Sequence, residues 1–374
     1  MARLGDIATY INGYAFKPTD WSNKGVPIIR IQDLTGNSYQ ANRYDGNYDM
    51  KYEVNSGDVL ISWSASLGVY IWTGEKAVLN QHIFKVQFDK AEVDKSFFVH
   101  QVECILNNAT GEAHGATMKH LTKPVFDALS FYLPNIEEQK KIANELNMVS
   151  NLISLRKQQL SKLDELVKSR FIELFGDPID NPKAFPVRKL KTLSRKISDG
   201  VHAKPQYTET GRPFLSVVNI NKGVINFDGC KFVSEEAYQK MIKSTHPERG
   251  DVLYTKVGAT YGIPAYVDTD TEFCLYVSVC LIKPLHEEIN SRFLSLSMGM
   301  PYVKRQADSR IKGIGVPDLH LNQISEFDIL CPPRDLQEQF IAFVEQTDKS
   351  KFEIQKSLEK LEMLKKTLMQ KYFG

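Results

Sequence analysis

Residues 331–374 read CPPRDLQEQFIAFVEQTDKSKFEIQKSLEKLEMLKKTLMQKYFG, and residues 133–176 read LPNIEEQKKIANELNMVSNLISLRKQQLSKLDELVKSRFIELFG. A shift of 198 positions lays one stretch on the other without a gap over 44 residues. Pro332 then meets Pro134, and Gln337 meets Gln139. Leu358, Leu361 and Leu364 meet Leu160, Leu163 and Leu166, and Phe373-Gly374 meets Phe175-Gly176. A segment present twice outweighs local signals in deciding architecture. The chain divides into a first block (1–132), a helical segment (133–176), a second block (177–330) and a second helical segment (331–374).

Both copies have the apolar spacing of a helix. In the first, Ile142, Leu146, Val149, Ile153, Leu160, Leu163, Val167 and Leu174 follow steps of three and four. In the second, Phe340, Val344, Ile354, Leu358, Leu361, Leu368 and Tyr372 stand at equivalent places. Such a seam runs along one face and requires a partner helix. Arg156, Arg170, Thr347, Lys351 and Lys365 interrupt it, which argues against a homodimeric zipper. The starts are marked by Pro134-Asn135 with Glu138, and by Pro332-Pro333 with Asp335 and Glu338, in capping-box spacing. Gly176 followed by Asp177-Pro178 marks a stop. About 40 helical residues make a rod of about 60 Å.

The 374 residues, with 42% hydrophobic and 25% charged content, are ordinary for a globular protein of two or three domains. No apolar run has the ~18 residues of a membrane span, and the N-terminus lacks a signal-type apolar region. Five cysteines without a Cys-x-x-Cys pair point to reduced thiols, hence a cytoplasmic protein. The net charge of +2 does not announce a strongly basic nucleic-acid binder. Residues 1–130 hold 12 Lys/Arg against 14 Asp/Glu, and 177–330 hold 20 against 18. Any DNA contact must therefore come from local patches.

The two blocks share outline. Pro27–Ile31, Asp58–Ser62 and His82–Val86 read as strands and 97–107 as a helix. Gly25-Val26-Pro27 corresponds to Gly211-Arg212-Pro213, and Gly57-Asp58-Val59-Leu60 to Gly250-Asp251-Val252-Leu253. The polar loops differ. Asn12-Gly13-Tyr14-Ala15-Phe16-Lys17 stands against Ser198-Asp199-Gly200-Val201-His202-Ala203-Lys204, and Ser62–Ser66 against Thr255–Thr260. A duplicated scaffold with divergent loops suits two related readers of different ligands, although surface drift gives the same pattern.

Motifs for chemistry are missing: no phosphate loop, no dinucleotide turn, no nucleophile elbow. Asn181-Pro182 lacks the Pro-aromatic continuation of an amino-methyltransferase. Asn80-Gln81-His82 suits a structural histidine better than a catalyst, and His100 with Cys104 lacks further ligands for a metal. What remains suits DNA. The loop-bearing segments carry Tyr14, Phe16, Lys17, Arg30, Gln32, Trp63 and Gln81 in the first block. In the second they carry His202, Lys204, Asn219, Asn221, Lys256, Arg310 and Lys312. Arg and Lys suit guanine edges, Asn and Gln adenine, and Ser, Thr and Lys phosphates.

The paired segments 133–143 and 332–340, the two helices ending in Phe-Gly and the two Gly-Asp-Val-Leu turns together resemble the specificity (S) subunit of type I restriction–modification systems, over the whole chain. The resemblance implies an α+β fold. Two mixed α/β target-recognition domains would be joined by two long antiparallel, coiled-coil-like helices in a pseudo-two-fold internal repeat. Each domain would read one half of a split double-stranded target, and the helices would set the gap. Methyltransferase (M) subunits, two per S chain, would dock on the helices, with restriction (R) subunits completing the complex. S-adenosylmethionine, ATP and Mg would sit on those partners, the S chain itself being non-catalytic and binding no metal. Leu146, Val149, Ile153, Leu160, Leu163, Val344, Ile354, Leu358, Leu361 and Leu368 would form the spacer and docking helices. The chain departs from the pattern in starting almost at once on the first block, and in that block's slight acidity. The acidity implies weak DNA affinity without M subunits. Two other readings compete: a recognition module fused to a methyltransferase or nuclease, and a scaffold whose blocks bind proteins.

Overall fold

A computed structural model describes residues 1–36, 42–111, 122–221, 223–311 and 315–374, the side chains of 109–111 and 221 excepted. The chain forms two compact units, Met1–Gln158 with Gln355–Gly374, and Gln159–Ile354. The division falls within the long helices, Ile136–Phe175 and Arg334–Phe373, so each helix supplies residues to both units.

In the first unit a four-stranded antiparallel sheet runs Thr9–Asn12, Ile83–Gln87, Val59–Ser62, Gly68–Ile71. In the second unit the order is Ser194–Asp199, Val279–Pro284, Val252–Thr255, Pro264–Tyr266. The central strands are apolar runs buried on both faces, which is why Val59–Ser62 and Val252–Thr255 show no alternation. Each unit adds a sheet with one parallel pair: Val26–Ile29 beside Ala77–Leu79, and Arg212–Leu215 beside Cys274–Leu275.

The Gly-Asp-Val-Leu repeat is a turn held by the same bonds twice. Asp58 Oδ2 accepts from Asn55 N–H at 2.9 Å, and Asp251 Oδ2 from Glu248 N–H at 2.8 Å. The preceding glycines need φ of +92° and +94°, where a side chain is strained. A lysine from the neighbouring strand reaches each aspartate: Lys85 to Asp58 at 3.2 Å, Lys283 to Asp251 at 2.6 Å.

The paired glutamines also make the same bonds twice. Gln139 is buried; its Oε1 accepts from Asp94 N–H and its Nε2 donates to Pro134 carbonyl, both at 2.8 Å. Gln337 does the same with Asn290 N–H at 2.9 Å and Pro332 carbonyl at 2.8 Å. Each amide locks the start of a long helix to the N-terminus of a helix of its unit. Gln139→Leu leaves a buried donor and acceptor unpaired and is expected to cost about 1–3 kcal/mol, read as a lowered urea midpoint. The Phe-Gly endings recur for a similar reason. Phe373 meets Phe97 edge-on at 5.5 Å, and Phe175 meets Phe293 at 5.4 Å.

The helices run antiparallel within each unit. In the first, Tyr372 donates to Glu145 at 2.5 Å and Lys157 pairs with Glu362 at 3.0 Å. In the second, Lys351 pairs with Asp164 at 2.7 Å and Phe171 packs on Phe340 at 5.5 Å. Leu146, Val149, Val344 and Leu358 are buried, and Ile153, Leu160, Leu163, Ile354, Leu361 and Leu368 half-buried. The interruptions of the seam are used: Lys365 pairs with Glu103 at 3.0 Å, and Thr347 donates to Phe343 carbonyl at 2.9 Å.

One start differs from expectation. Asn135 caps the first helix, accepting from Glu138 N–H at 2.9 Å. The second helix begins at Arg334, so Asp335 lies within its first turn and Pro333, with no side-chain acceptor, stands at the cap. Asp335 there faces the positive helix end rather than forming a capping box.

Candidate nucleic-acid interface

At one end of the first unit three connections converge: the loop after Asn12, the turn after Ser62, and Asn80–His82 between two strands. Their backbones are tied. Tyr14 N–H donates to Leu79 carbonyl at 2.8 Å, Gln81 N–H to Tyr14 carbonyl at 2.8 Å, and Trp63 N–H to His82 carbonyl at 3.2 Å. The second unit repeats these bonds. Val201 N–H donates to Leu275 carbonyl at 2.9 Å, Val277 N–H to Val201 carbonyl at 3.0 Å, and Lys256 N–H to Ser278 carbonyl at 3.0 Å. Tyr14 thus stands where Val201 stands, Lys17 where Lys204 stands, and Trp63 where Lys256 stands.

Gly13 and Gly200 are required by close approach. A Cβ on Gly13 would lie 2.0 Å from Asn80 carbonyl oxygen, and one on Gly200 1.9 Å from Leu275 carbonyl oxygen. The turns after the third strand match too: Ser62 Oγ donates to Ser66 carbonyl, and Thr255 Oγ1 to Thr260 carbonyl at 2.7 Å. Gly258 takes φ +89° and its counterpart Ala65 +60°, a left-handed position that costs a non-glycine residue.

On this frame Tyr14 is 47% exposed, and Lys17, His202 and Lys204 are exposed. Gln81 and Trp63 are half-buried; Trp63 stacks on Phe84 at 5.6 Å and donates from Nε1 to Asn12 Oδ1 at 3.2 Å. Arg30 and Gln32 sit at the same end, at the start of the short helix Ile31–Leu34, with Arg30 paired to Asp33 at 3.2 Å.

Four of the residues read from sequence as DNA contacts are buried or held by other groups of the chain. Phe16 is buried with Ile28 and Val78, because the loop turns its ring inward beneath Tyr44. Asn219 is buried as a cap, accepting from Ser216 N–H at 3.0 Å as Asp33 accepts from Arg30 at 2.8 Å. Lys256 is buried between Asp199 and Asp318, 3.5 Å from each. Arg310 donates to the carbonyls of Gln306 at 2.8 Å and Glu326 at 3.2 Å and covers the Phe327 ring. Lys312 lies outside the described residues, as does the side chain of Asn221. Sequence reasoning missed Asn12 and Asp199, the acceptors facing Trp63 and Lys256. It also missed Lys231, exposed and 4.3 Å from the Tyr207 ring that Lys204 also approaches. Aligning the two blocks residue by residue pairs Asn12 with Asp199, and that pairing was the available signal.

The thiols are quiet: burial pushes Cys274 up to about 12 and Cys331 up to about 11. His100 bonds Asn147 at 2.8 Å, and among the described residues no group of three metal-ligating side chains exists. No helix among them is long and apolar enough to cross a membrane.

The comparisons agree with this duplicated arrangement. The family described as type I restriction modification DNA specificity domain matches twice, over residues 1–165 and 187–365. The EcoBI specificity subunit of Escherichia coli is 24% identical over 99% of this chain and 84% of its own length. The MjaVIII specificity subunit of Methanocaldococcus jannaschii is 24% identical over 99% of this chain and 90% of its own. The type I restriction–modification S subunit from M. genitalium shares the fold, with a TM-score of 0.55 at 15% identity, covering 100% of this chain and 95% of that one. A chain from a structure of type I restriction–modification complex assembly gives a TM-score of 0.55 at 16% identity, covering 100% and 96%. With two copies of the domain on one chain, the protein belongs to the type I restriction–modification DNA specificity family.

Proposed function

We propose that each unit reads one half of a split duplex target through the loop end described above, and that the chain lends this specificity to catalytic partners. The observation that carries the proposal is that one backbone frame is built twice with different side chains on it. Equal frames and unequal loops give two readers of one ligand type with two sequences. The chain contributes no catalytic group; S-adenosylmethionine, ATP and Mg belong to M and R subunits, in the cytoplasm. Two M subunits per chain suit two long helices of one repeat. Met148, Leu152 and Leu155 are exposed at helical spacing on the first long helix, and the adjacent Met363 and Leu364 are exposed on the second. Exposed apolar residues at that spacing suit a helical partner.

Lys17 and Lys204 supply the test. They share a frame position and are exposed, and among the described residues neither ammonium pairs with a carboxylate, Asp20 accepting only from the Lys17 backbone N–H. Each then meets a phosphate. In the complex with M subunits, Lys17→Ala and Lys204→Ala are each expected to weaken duplex binding on all sequences alike. Each should lower the slope of log affinity against log salt by about 1. An unchanged slope in both variants removes this end of the units from the DNA interface.

A further inference from the structure

The half-buried Trp63 and the buried Lys256 occupy one frame position and each spans from the third-strand turn to the last residue of the first strand. In the first unit the link is neutral, Trp63 Nε1 donating to Asn12 Oδ1 at 3.2 Å. In the second it is ionic, Lys256 Nζ lying 3.5 Å from Asp199 Oδ2. Both partners differ between the units: an amide faces an indole, a carboxylate faces an ammonium. A mixed pair would strand a charge.

In the second unit the link continues outward. Asp199 uses Oδ2 for Lys256 and Oδ1 for His202, whose Nε2 lies 3.4 Å away. Asp199 is 15% exposed and His202 76%. Asp318 faces Lys256 from the other side at 3.5 Å, and Thr245 Oγ1 donates to Asp199 carbonyl at 2.6 Å. An anchored network thus ends in one exposed imidazole on the reading loop, at the place where the first unit has Ala15.

We propose that Lys256 and Asp199 are positioning residues of the second reader, holding His202 so that its ring meets a base edge of the second half-site. The Asn12–Trp63 link holds the Gly13–Lys17 loop in the first reader by different chemistry. The inference rests on the reading of these loop ends as DNA-contacting. It assigns Lys256 and Trp63 to work behind the surface, and His202 to the contact.

The experiment uses the full chain with M subunits and a library of duplexes randomised in both half-sites, reading which sites become methylated. His202→Ala is expected to relax one or two base positions of the second half-site, with discrimination falling about tenfold, and to leave the first half-site unchanged. Asp199→Asn, which keeps the shape but replaces the carboxylate shared by Lys256 and His202 with a neutral amide, should relax the same positions, with a melting curve showing that the unit stays folded. Lys256→Met should do so as well, unless it unfolds the unit, which a melting curve reports; Asp199→Asn then decides. The double variant Asp199→Asn/His202→Ala should lose no more than His202→Ala alone, because both changes remove one contact. Retained preference in Asp199→Asn, or losses that add in the double variant, overturns the inference while leaving two-reader recognition intact. A wild-type complex with no bipartite preference overturns both.

Discussion

Gly200→Ala is expected to disable the second reader and spare the first. The added Cβ would sit 1.9 Å from Leu275 carbonyl oxygen and 2.2 Å from its carbon, so two backbones must separate. Neither can yield cheaply, because Val201 N–H donates to that same carbonyl and Val277 N–H to Val201 carbonyl. Overlap with backbone, unlike overlap with the end of a flexible side chain, is relieved only by giving up these bonds. A cost of about 3 kcal/mol is expected, the upper end of overpacking. Amide exchange at Val201 and Val277 should quicken, and the second half-site should lose its base preference. Gly13→Ala should do the same to the first half-site, its Cβ lying 2.0 Å from Asn80 carbonyl oxygen. Equal loss of both half-sites from either change would mean that the loop ends are not separate readers.

Lys283→Met is expected to be the most destabilising side-chain change in the second unit. Lys283 Nζ lies 2.6 Å from both Asp251 Oδ2 and Glu248 Oε2, and Asp251's side chain is 3% exposed. Removing the ammonium leaves a buried carboxylate unpaired, a loss of about 3–5 kcal/mol. The pH dependence has a definite sign. Burial already raises the Asp251 pKa, with Lys283 pulling it down. Without Lys283 it rises further, so the folded variant holds the proton more tightly than the unfolded chain. A raised carboxyl pKa favours the folded state below the unfolded pKa, and that benefit is lost as pH rises toward the folded pKa. The deficit relative to wild type should therefore shrink on moving from about pH 7.5 to about pH 5. Lys283 also lowers the Glu248 pKa, and the variant forfeits that contribution at both pH values, since both lie above the unfolded carboxylate range. Urea midpoints at the two pH values check both points. Lys85→Met should cost less, since Lys85 and Asp58 are 20% and 28% exposed.

The architecture was legible because its carriers occur twice at one spacing. Gln139 and Gln337, the Phe-Gly endings and the Gly-Asp turns recur because each makes the same contact in both units. The seam positions were legible for the same reason: helical period alone fixes which residues turn inward. The reading surface was legible only in outline. A loop sequence says that Phe16, Asn219, Lys256 and Arg310 are polar or aromatic near a turn, not which way they point. Phe16, Lys256 and Arg310 are held by residues further along the chain, Phe16 by Ile28 and Val78. Lys256 needs Asp318, 62 positions away, and Arg310 needs the Glu326 carbonyl. Asn219 looked like a base reader because capping and adenine recognition use the same amide.

The measurement closest to the central claim is a block exchange. Residues 187–330 are replaced by the corresponding block of a related chain, the product is co-expressed with its M subunits, and modified bases are mapped along a genome. Two independent readers on one frame predict a bipartite methylated motif whose second half is new and whose first half and gap are those of the parent. A change in both halves, or a motif that is not split, contradicts the account.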